Sequence, residues 1–437
     1  MKFPQGESLY KRAKQIIPGG NSLLSKRPEM FLPNGWPNYY SSANGIQIKD
    51  LDGNTFLDFS IMGIGTNTLG YGDPYVDEAV LRTVKSGNMS TLNSPEEPHL
   101  AEALLELHKW AGGVKFARTG GEANAIGIRI ARAASGKDGV AICGYHGWHD
   151  WYLSSNLSSP GALDEHLLSG LSTLGVPQKF AGLTKAFRYG NFEEFERAIQ
   201  DSHIGTVMME VSRNFEPDLK FLKHVRERTL ELGKILIFDE CTSGFRENFG
   251  GIHLKHNIQP DLIMLGKALG NGYAINAILG KKNIMSFAEK TFISSTFWTE
   301  RIGPTAAIAT LQRMRALESW KILGENSQYL RDGMARLFEN LSIPVTFSGL
   351  LPLISFQINH PDFQAIKTLI TQEMLHRGYL ASNLIFVSTL HTPDASDEYL
   401  LNMEQVLKSI SSVIHDNQPV ASLLNYPVSH SGFQRLN

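Results

Sequence analysis

Two short apolar runs, each stopping on an ionisable residue, constrain this chain more than any other feature. Ile235-Leu-Ile-Phe238 ends on Asp239, and Leu262-Ile-Met-Leu265 ends on Gly266 and Lys267. Each run is too short for a helix, and the first is β-branched enough for a buried strand. In an open α/β sheet, ligands gather outside the carboxyl ends of the strands. If these strands lie side by side, an acid and an amine project into the same crevice. Taken singly, Asp239 would read as a cap for a following helix and Lys267 as a solvated turn residue. Each ending its own buried strand, they read together as a functional pair.

That pair has a chemical meaning. A lysine in a low-dielectric site loses its proton more easily and becomes a nucleophile toward an aldehyde. A carboxylate beside it can hold a pyridine nitrogen protonated, and a pyridinium is the electron sink of pyridoxal 5'-phosphate (PLP) chemistry. The pattern Leu-Ile-Phe-Asp-Glu-x-x-x-Gly-Phe-Arg at 236–246, followed by Gly-Lys-x-x-Gly-x-Gly at 266–272, resembles the class III PLP-dependent aminotransferases of fold type I. Within that class the likeness is strongest to glutamate-1-semialdehyde aminomutase and its aminotransferase relatives, and it runs from about Ile16 to His391. The resemblance implies an α/β fold: a large domain with a mostly parallel seven-stranded sheet flanked by helices, and a smaller α+β domain built from the N- and C-terminal segments. The expected division is 1–72 and 319–437 for the small domain and 73–318 for the PLP-binding domain.

Composition agrees with a globular chain of more than one domain: 437 residues, 42% hydrophobic, 41 basic against 43 acidic side chains. A net charge of −2 gives no electrostatic case for nucleic acid or an anionic membrane surface. Two cysteines, Cys143 and Cys241, are too few for a disulfide framework. With no apolar leader and no membrane-length apolar run, the expectation is a cytoplasmic protein.

Further along the chain, Arg118-Thr119-Gly120-Gly121-Glu-Ala-Asn124 passes from a short strand into a helical pattern. Glycines let backbone N–H groups approach an anion, and a helix N-terminus adds a favourable dipole. Alone this is an ordinary turn; set against the family's Ser-Gly-Thr-Glu-Ala, it is the expected phosphate cradle. Gly121 stands where the family has a Thr, so the backbone would carry more of the binding. Tyr145-His146-Gly-Trp-His149-Asp150 resembles the family's Tyr-His-Gly-x-x-Asp, which implies that Tyr145 stacks on the pyridine ring and His146 supports it or meets substrate. His146 and His149 lack further ligands at metal spacing, so no metal is expected.

Strand Ile204 to Met209 ends on Glu210, which the resemblance puts near the cofactor's hydroxyl. Arg213 could bind a substrate carboxylate in bidentate fashion or serve as a surface ion-pair residue. Thr91 and Asn93 fall where the family places substrate-facing residues. Thr296 aligns with a Thr that reaches the PLP phosphate from the neighbouring subunit, which implies a homodimer with shared active sites. The aperiodic tail from Pro427 is expected to wander toward a partner chain or be disordered.

By resemblance, Lys267 forms the aldimine with PLP and then moves a proton between the donor's Cα and the cofactor's C4′, while Asp239 keeps the ring nitrogen protonated. Three departures bear on the substrate. Ser25 occupies the place of the aminomutase's carboxylate-binding Arg, Ile61-Met62-Gly63 replaces its Ser-Trp-Gly, and Ser382-Asn-Leu-Ile385 lacks its Glu. The expected activity is therefore transfer of an amino group, from a donor such as glutamate, to a polar carbonyl acceptor such as a sugar or keto-sugar acid. The alternatives are glutamate-1-semialdehyde 2,1-aminomutase, a PLP racemase or decarboxylase, and a catalytically silent PLP-binding protein.

Overall fold

The computed structural model describes residues 2–166, 169–212, 215–415 and 419–432. The chain divides into two compact units: Met1–Asp73 together with Lys321–Asn437, and Pro74–Trp320.

In the first unit, helix Pro4–Ile16 precedes strands β1 (Tyr40–Asn44), β2 (Gln47–Asp50) and β3 (Thr55–Phe59). Strands β2 and β3 pair antiparallel around Asp52-Gly53, where Asp50 Oδ1 accepts from the N–H groups of Asp52 and Asn54. After β3 the backbone makes a left-handed turn, with positive φ at Met62, Gly63, Ile64 and Gly65. Such a run through a β-branched residue stores strain that only a well-packed surrounding tolerates.

The second unit is built on seven strands: β4 (Gly113–Ala117), β5 (Gly139–Cys143), β6 (Thr184–Ala186), β7 (Ile204–Glu210), β8 (Ile235–Glu240), β9 (Leu262–Leu265) and β10 (Asn276–Gly280). Their order is β4-β10-β9-β8-β7-β5-β6, parallel throughout except for β10, which runs antiparallel to both neighbours. All residues of β5, β7, β8, β9 and β10 are buried. That is the reason these strands read as unbroken apolar runs rather than alternating ones: helices cover both faces. Helix Gly120–Ser135 buries Ala123, Ile126, Ile128, Ile130 and Ala131 against the sheet, and helix Leu219–Glu231 buries Phe221, Leu222 and Val225.

The first unit resumes with β11 (Val345–Ser348), β12 (Leu353–Ile358), β13 (Tyr379–Ala381) and β14 (Leu384–Phe386). Strand β13 pairs parallel with β3, so one four-stranded sheet joins the two terminal segments, and β11-β12-β14 form a second, antiparallel sheet. Phe59, stacked on Tyr399 at 4.2 Å, lies in a core with Met334, Phe338 and Ile370. The tail differs from expectation over residues 427–432. Ser429 is buried, its N–H donates to Thr368 Oγ1, and Gln364 donates to its hydroxyl. Short polar residues without periodicity can still be anchored when a neighbouring helix presents matching hydroxyl and amide groups.

Candidate active site

Strand register brings the ionisable ends together. In the parallel ladder Glu210 of β7 is opposite Asp239 of β8, and Asp239 is opposite Met264 of β9, three residues before Lys267. At the end of β9 the chain needs a glycine, because a Cβ on Gly266 would fall 2.0 Å from Asn276 Oδ1. Lys267 then takes a positive φ of 44°, a conformation held against its intrinsic cost. Its Nζ donates to Thr242 Oγ1 at 2.7 Å. Thr242 lies three residues beyond Asp239, so acid and amine share one small neighbourhood.

Asp239 is 4% exposed and carries three hydrogen bonds. Its Oδ2 meets His146 Nδ1 at 2.9 Å and Asn124 Nδ2 at 2.8 Å, and its Oδ1 accepts from Cys241 N at 3.0 Å. Burial pushes the carboxyl pKa up, but His146, the Cys241 N–H and Asn124 outweigh it and hold the acid below the ordinary carboxylate value. His146 is fully buried, and its Nε2 lies 3.1 Å from Cys143 O. It therefore braces Asp239 from β5. Burial and the nearby Asp239 push the Cys241 thiol pKa well up, so it stays a neutral thiol here.

Glu210 is buried, and its Oε2 accepts from Tyr145 N at 2.9 Å, fixing the loop that carries Tyr145 and His146. The Tyr145 ring is partly exposed and stands edge-on to Tyr152, 5.9 Å away. At the start of helix Gly120–Ser135, Thr119 and Glu122 form a reciprocal capping box. Among the described residues the N–H groups of Gly120 and Gly121 make no hydrogen bond within the chain, as expected for a first helical turn.

Thr296 is exposed in the turn Thr296–Thr299. That turn is tied to the strand before the cradle, since Arg118 Nη2 donates to Trp298 O and Glu300 O, both at 2.9 Å. Thr91 and Asn93 are exposed in the loop before helix Glu96–Leu107. Arg301 joins that loop to the 296–300 segment through Asn88 and Glu96. Ser25 lies in the turn Leu24–Lys26 of the other unit. Arg213 is outside the described residues.

Three residues of this neighbourhood escaped sequence reasoning. Asn124 sits inside a helix, where a polar residue signals nothing by itself. Thr242 looked like loop filling, although its place three residues after the strand-end acid was a usable cue. His149, weighed only as a metal ligand, packs against Gly121: a Cβ there would be 2.8 Å from its Cε1. Among the described residues, no group of three or more His, Cys, Asp or Glu could hold a metal ion.

An acid held below its ordinary pKa, an amine bonded to the residue three beyond it, and helix N–H groups left unengaged suit a group with a cationic ring nitrogen, an aldehyde and a phosphate. Asn124 Oδ1 and His149 Nδ1 are buried without partners and are the kind of polar atoms a bound group would satisfy. PLP has these parts.

The family model for class-III aminotransferases matches residues 34–395. The chain is 28% identical over 429 residues to a 3-aminobutyryl-CoA aminotransferase of Cloacimonas acidaminovorans, covering 93% of this chain and 99% of the relative. It is 28% identical to a 2'-deamino-2'-hydroxyneamine transaminase of Streptomyces kanamyceticus, covering 84% and 89%. It is 31% identical to a glutamate-1-semialdehyde 2,1-aminomutase of Methanothrix thermoacetophila, covering 80% and 81%. Among solved structures, the FumI protein of Sphingopyxis sp. MTA144 in its PLP internal aldimine form superposes with a TM-score of 0.85 at 24% identity, covering 96% of this chain and all of that one.

Proposed function

The chain belongs to the class III aminotransferases, which are PLP-dependent enzymes, and from that premise we propose that it moves an amino group from an amino-acid donor, glutamate, to a polar carbonyl acceptor such as a sugar or keto-sugar acid. The observation that carries the catalytic assignment is the convergence of Asp239 and Lys267 at the ends of adjacent parallel strands, with Thr242 bonded to the amine.

PLP, when bound, supplies the aldehyde that takes up the amino group and the ring that delocalises the electron pair left on the donor's Cα. The protein does the rest. Gly120 and Gly121 offer backbone N–H groups to the phosphate at a helix N-terminus, with Thr119 setting their geometry as the cap. Asp239 holds a proton at the ring nitrogen, and His146, Asn124 and Cys241 N keep Asp239 ionised for that task. Tyr145 would cover the ring face, and Glu210, which fixes the Tyr145 loop, would lie toward the ring hydroxyl. Lys267 would be the residue that holds the cofactor's aldehyde through its amine, and that amine, when free, would be the base that moves a proton from the donor's Cα. Thr242 steadies the amine between these positions.

The acceptor is argued from the departures from the aminomutase pattern at Ser25, 61–63 and 382–385, and from the relative named as a 2'-deamino-2'-hydroxyneamine transaminase. Glutamate-1-semialdehyde 2,1-aminomutase is the second reading, favoured by the relative of that name. The exposed Thr296 supports a homodimer in which it reaches the partner's phosphate site, with the exposed Thr91 and Asn93 as substrate contacts. Two free, buried cysteines support a cytoplasmic setting. No described helix is long and apolar enough to cross a membrane.

The test is an absorption spectrum of the PLP-loaded protein before and after L-glutamate, beside Lys267→Ala. A visible band that glutamate bleaches, absent or unresponsive in Lys267→Ala, is expected. A band that responds only to glutamate 1-semialdehyde or a diamine selects the aminomutase. No response to any donor selects the silent PLP-binding protein. With a competent donor, turnover of apolar aldehydes alone would sink the polar acceptor.

A further inference from the structure

The substitution that empties position 121 of a side chain is filled from elsewhere. A Cβ built on Gly121 would stand 2.8 Å from His149 Cε1 and 3.0 Å from His149 Nδ1, so the imidazole occupies the volume a threonine side chain would take. Gly147 makes room for the approach: the point where its Cβ would lie is 3.0 Å from Gly121 Cα. That same point is 3.7 Å from His149 Nδ1 and 3.8 Å from Gly121 N, so the ring nitrogen and the helix amide surround one small region. Trp148, stacked on His149 with ring centroids 4.5 Å apart, backs the imidazole. His149 Nδ1 is shielded from solvent and has no hydrogen-bond partner. A ring nitrogen left in that state costs free energy unless a ligand completes it.

Resting on the PLP-dependent reading above, we propose that His149 is a phosphate ligand of this protein, its Nδ1–H taking the place of the hydroxyl that Gly121 lacks. The cradle is thus not backbone alone. Gly121, Gly147 and His149 form one unit in which two missing side chains admit a third. Burial lowers the imidazole pKa, with Glu122 and Asp150 opposing, so the ring can donate as a neutral tautomer.

The experiment strips the protein of cofactor and titrates it with PLP and with pyridoxal, which has the same ring and aldehyde but no phosphate. His149→Phe keeps a stacking ring without the donor. The expected result is a loss of PLP affinity of roughly tenfold to a hundredfold, the range for a hydrogen bond to a charged group, with pyridoxal affinity unchanged. A second variant guards against misfolding. Gly121→Thr alone crowds His149 and weakens PLP, whereas Gly121→Thr with His149→Gly restores the hydroxyl in vacated space and recovers affinity. Equal losses for PLP and pyridoxal, or no loss, would overturn the proposal while leaving the aminotransferase reading intact. A wild-type protein that binds neither compound would overturn both.

Discussion

A carboxyl group as buried as Asp239 loses its hydration, and burial alone would leave it protonated and useless as partner for a cationic ring nitrogen. Three hydrogen bonds reverse that outcome, and the contact with His146 is the largest of the opposing influences. The ionisation of Asp239 therefore depends on a fully buried histidine bonded to it. Asp239→Asn, which keeps the shape and removes the charge, is expected to lower kcat by about 100-fold or more, within the range for losing a positioned proton-holding group. His146→Phe should act more subtly. Its Asp239 would have a higher pKa, so activity, which needs the ionised acid, would fail at a higher pH as the solution is acidified. A pH profile of kcat/KM tests this: an acid limb that stays in place in His146→Phe would reduce His146 to packing.

At the scale of elements, the strand ends opposite the site are fastened by Asp261, the residue just before β9. Its Oδ2 accepts from Leu236 N of β8 and from Arg226, while its Oδ1 lies 2.8 Å from Lys281 Nζ, just after β10. Burial raises the Asp261 pKa, but Arg226, the Leu236 N–H and Lys281 bring it below the ordinary value. A folded-state pKa below the unfolded one gives stability that is fully present above about pH 4 and is lost as pH falls through the folded value. Asp261→Asn is thus expected to cost about 2–3 kcal/mol at neutral pH and much less at pH near 2, as read from urea midpoints at both. The strands themselves were legible, because β7 and β8 are covered on both faces and their unbroken apolar runs stop at the site. What stayed illegible was whatever depends on distant partners. No local pattern announces that β13 pairs with β3, or that Ser429 would be anchored on Thr368. The left-handed turn at 62–65 contradicts the preferences of Met62 and Ile64, so only its glycines hinted at it. Within the site, the strand-end residues and the glycine turn that opens helix Gly120–Ser135 could be read from position. Asn124, Thr242 and His149 could not, since their meaning comes from which atoms they face.

At the scale of the whole molecule, the question is whether one chain makes a complete site. Thr296 is exposed, and beside it Phe292 and Phe297 are 85% and 69% exposed. Large apolar side chains at such exposure are what a surface covered by a second copy would present. Arg118 ties this segment to the strand leading into the cradle, so a second copy seated on it would lie close to the phosphate end. Subunit complementation separates the two arrangements. Lys267→Ala loses the amine, and Thr296→Ala is expected to weaken phosphate binding. When the two variants are mixed and allowed to exchange subunits, each hybrid dimer contains one chain of each kind. If Thr296 serves the partner's site, one of the two sites in every hybrid draws its Lys267 and its Thr296 from intact positions, while the other carries both defects. Activity at limiting PLP then rises above the average of the two parents as exchange proceeds. If Thr296 serves its own chain, no hybrid site is intact, and activity stays at the parental average. The same exchange followed by size and activity together would also show whether a lone chain turns over, because dilution below the dimer's dissociation constant would abolish activity only where sites are shared.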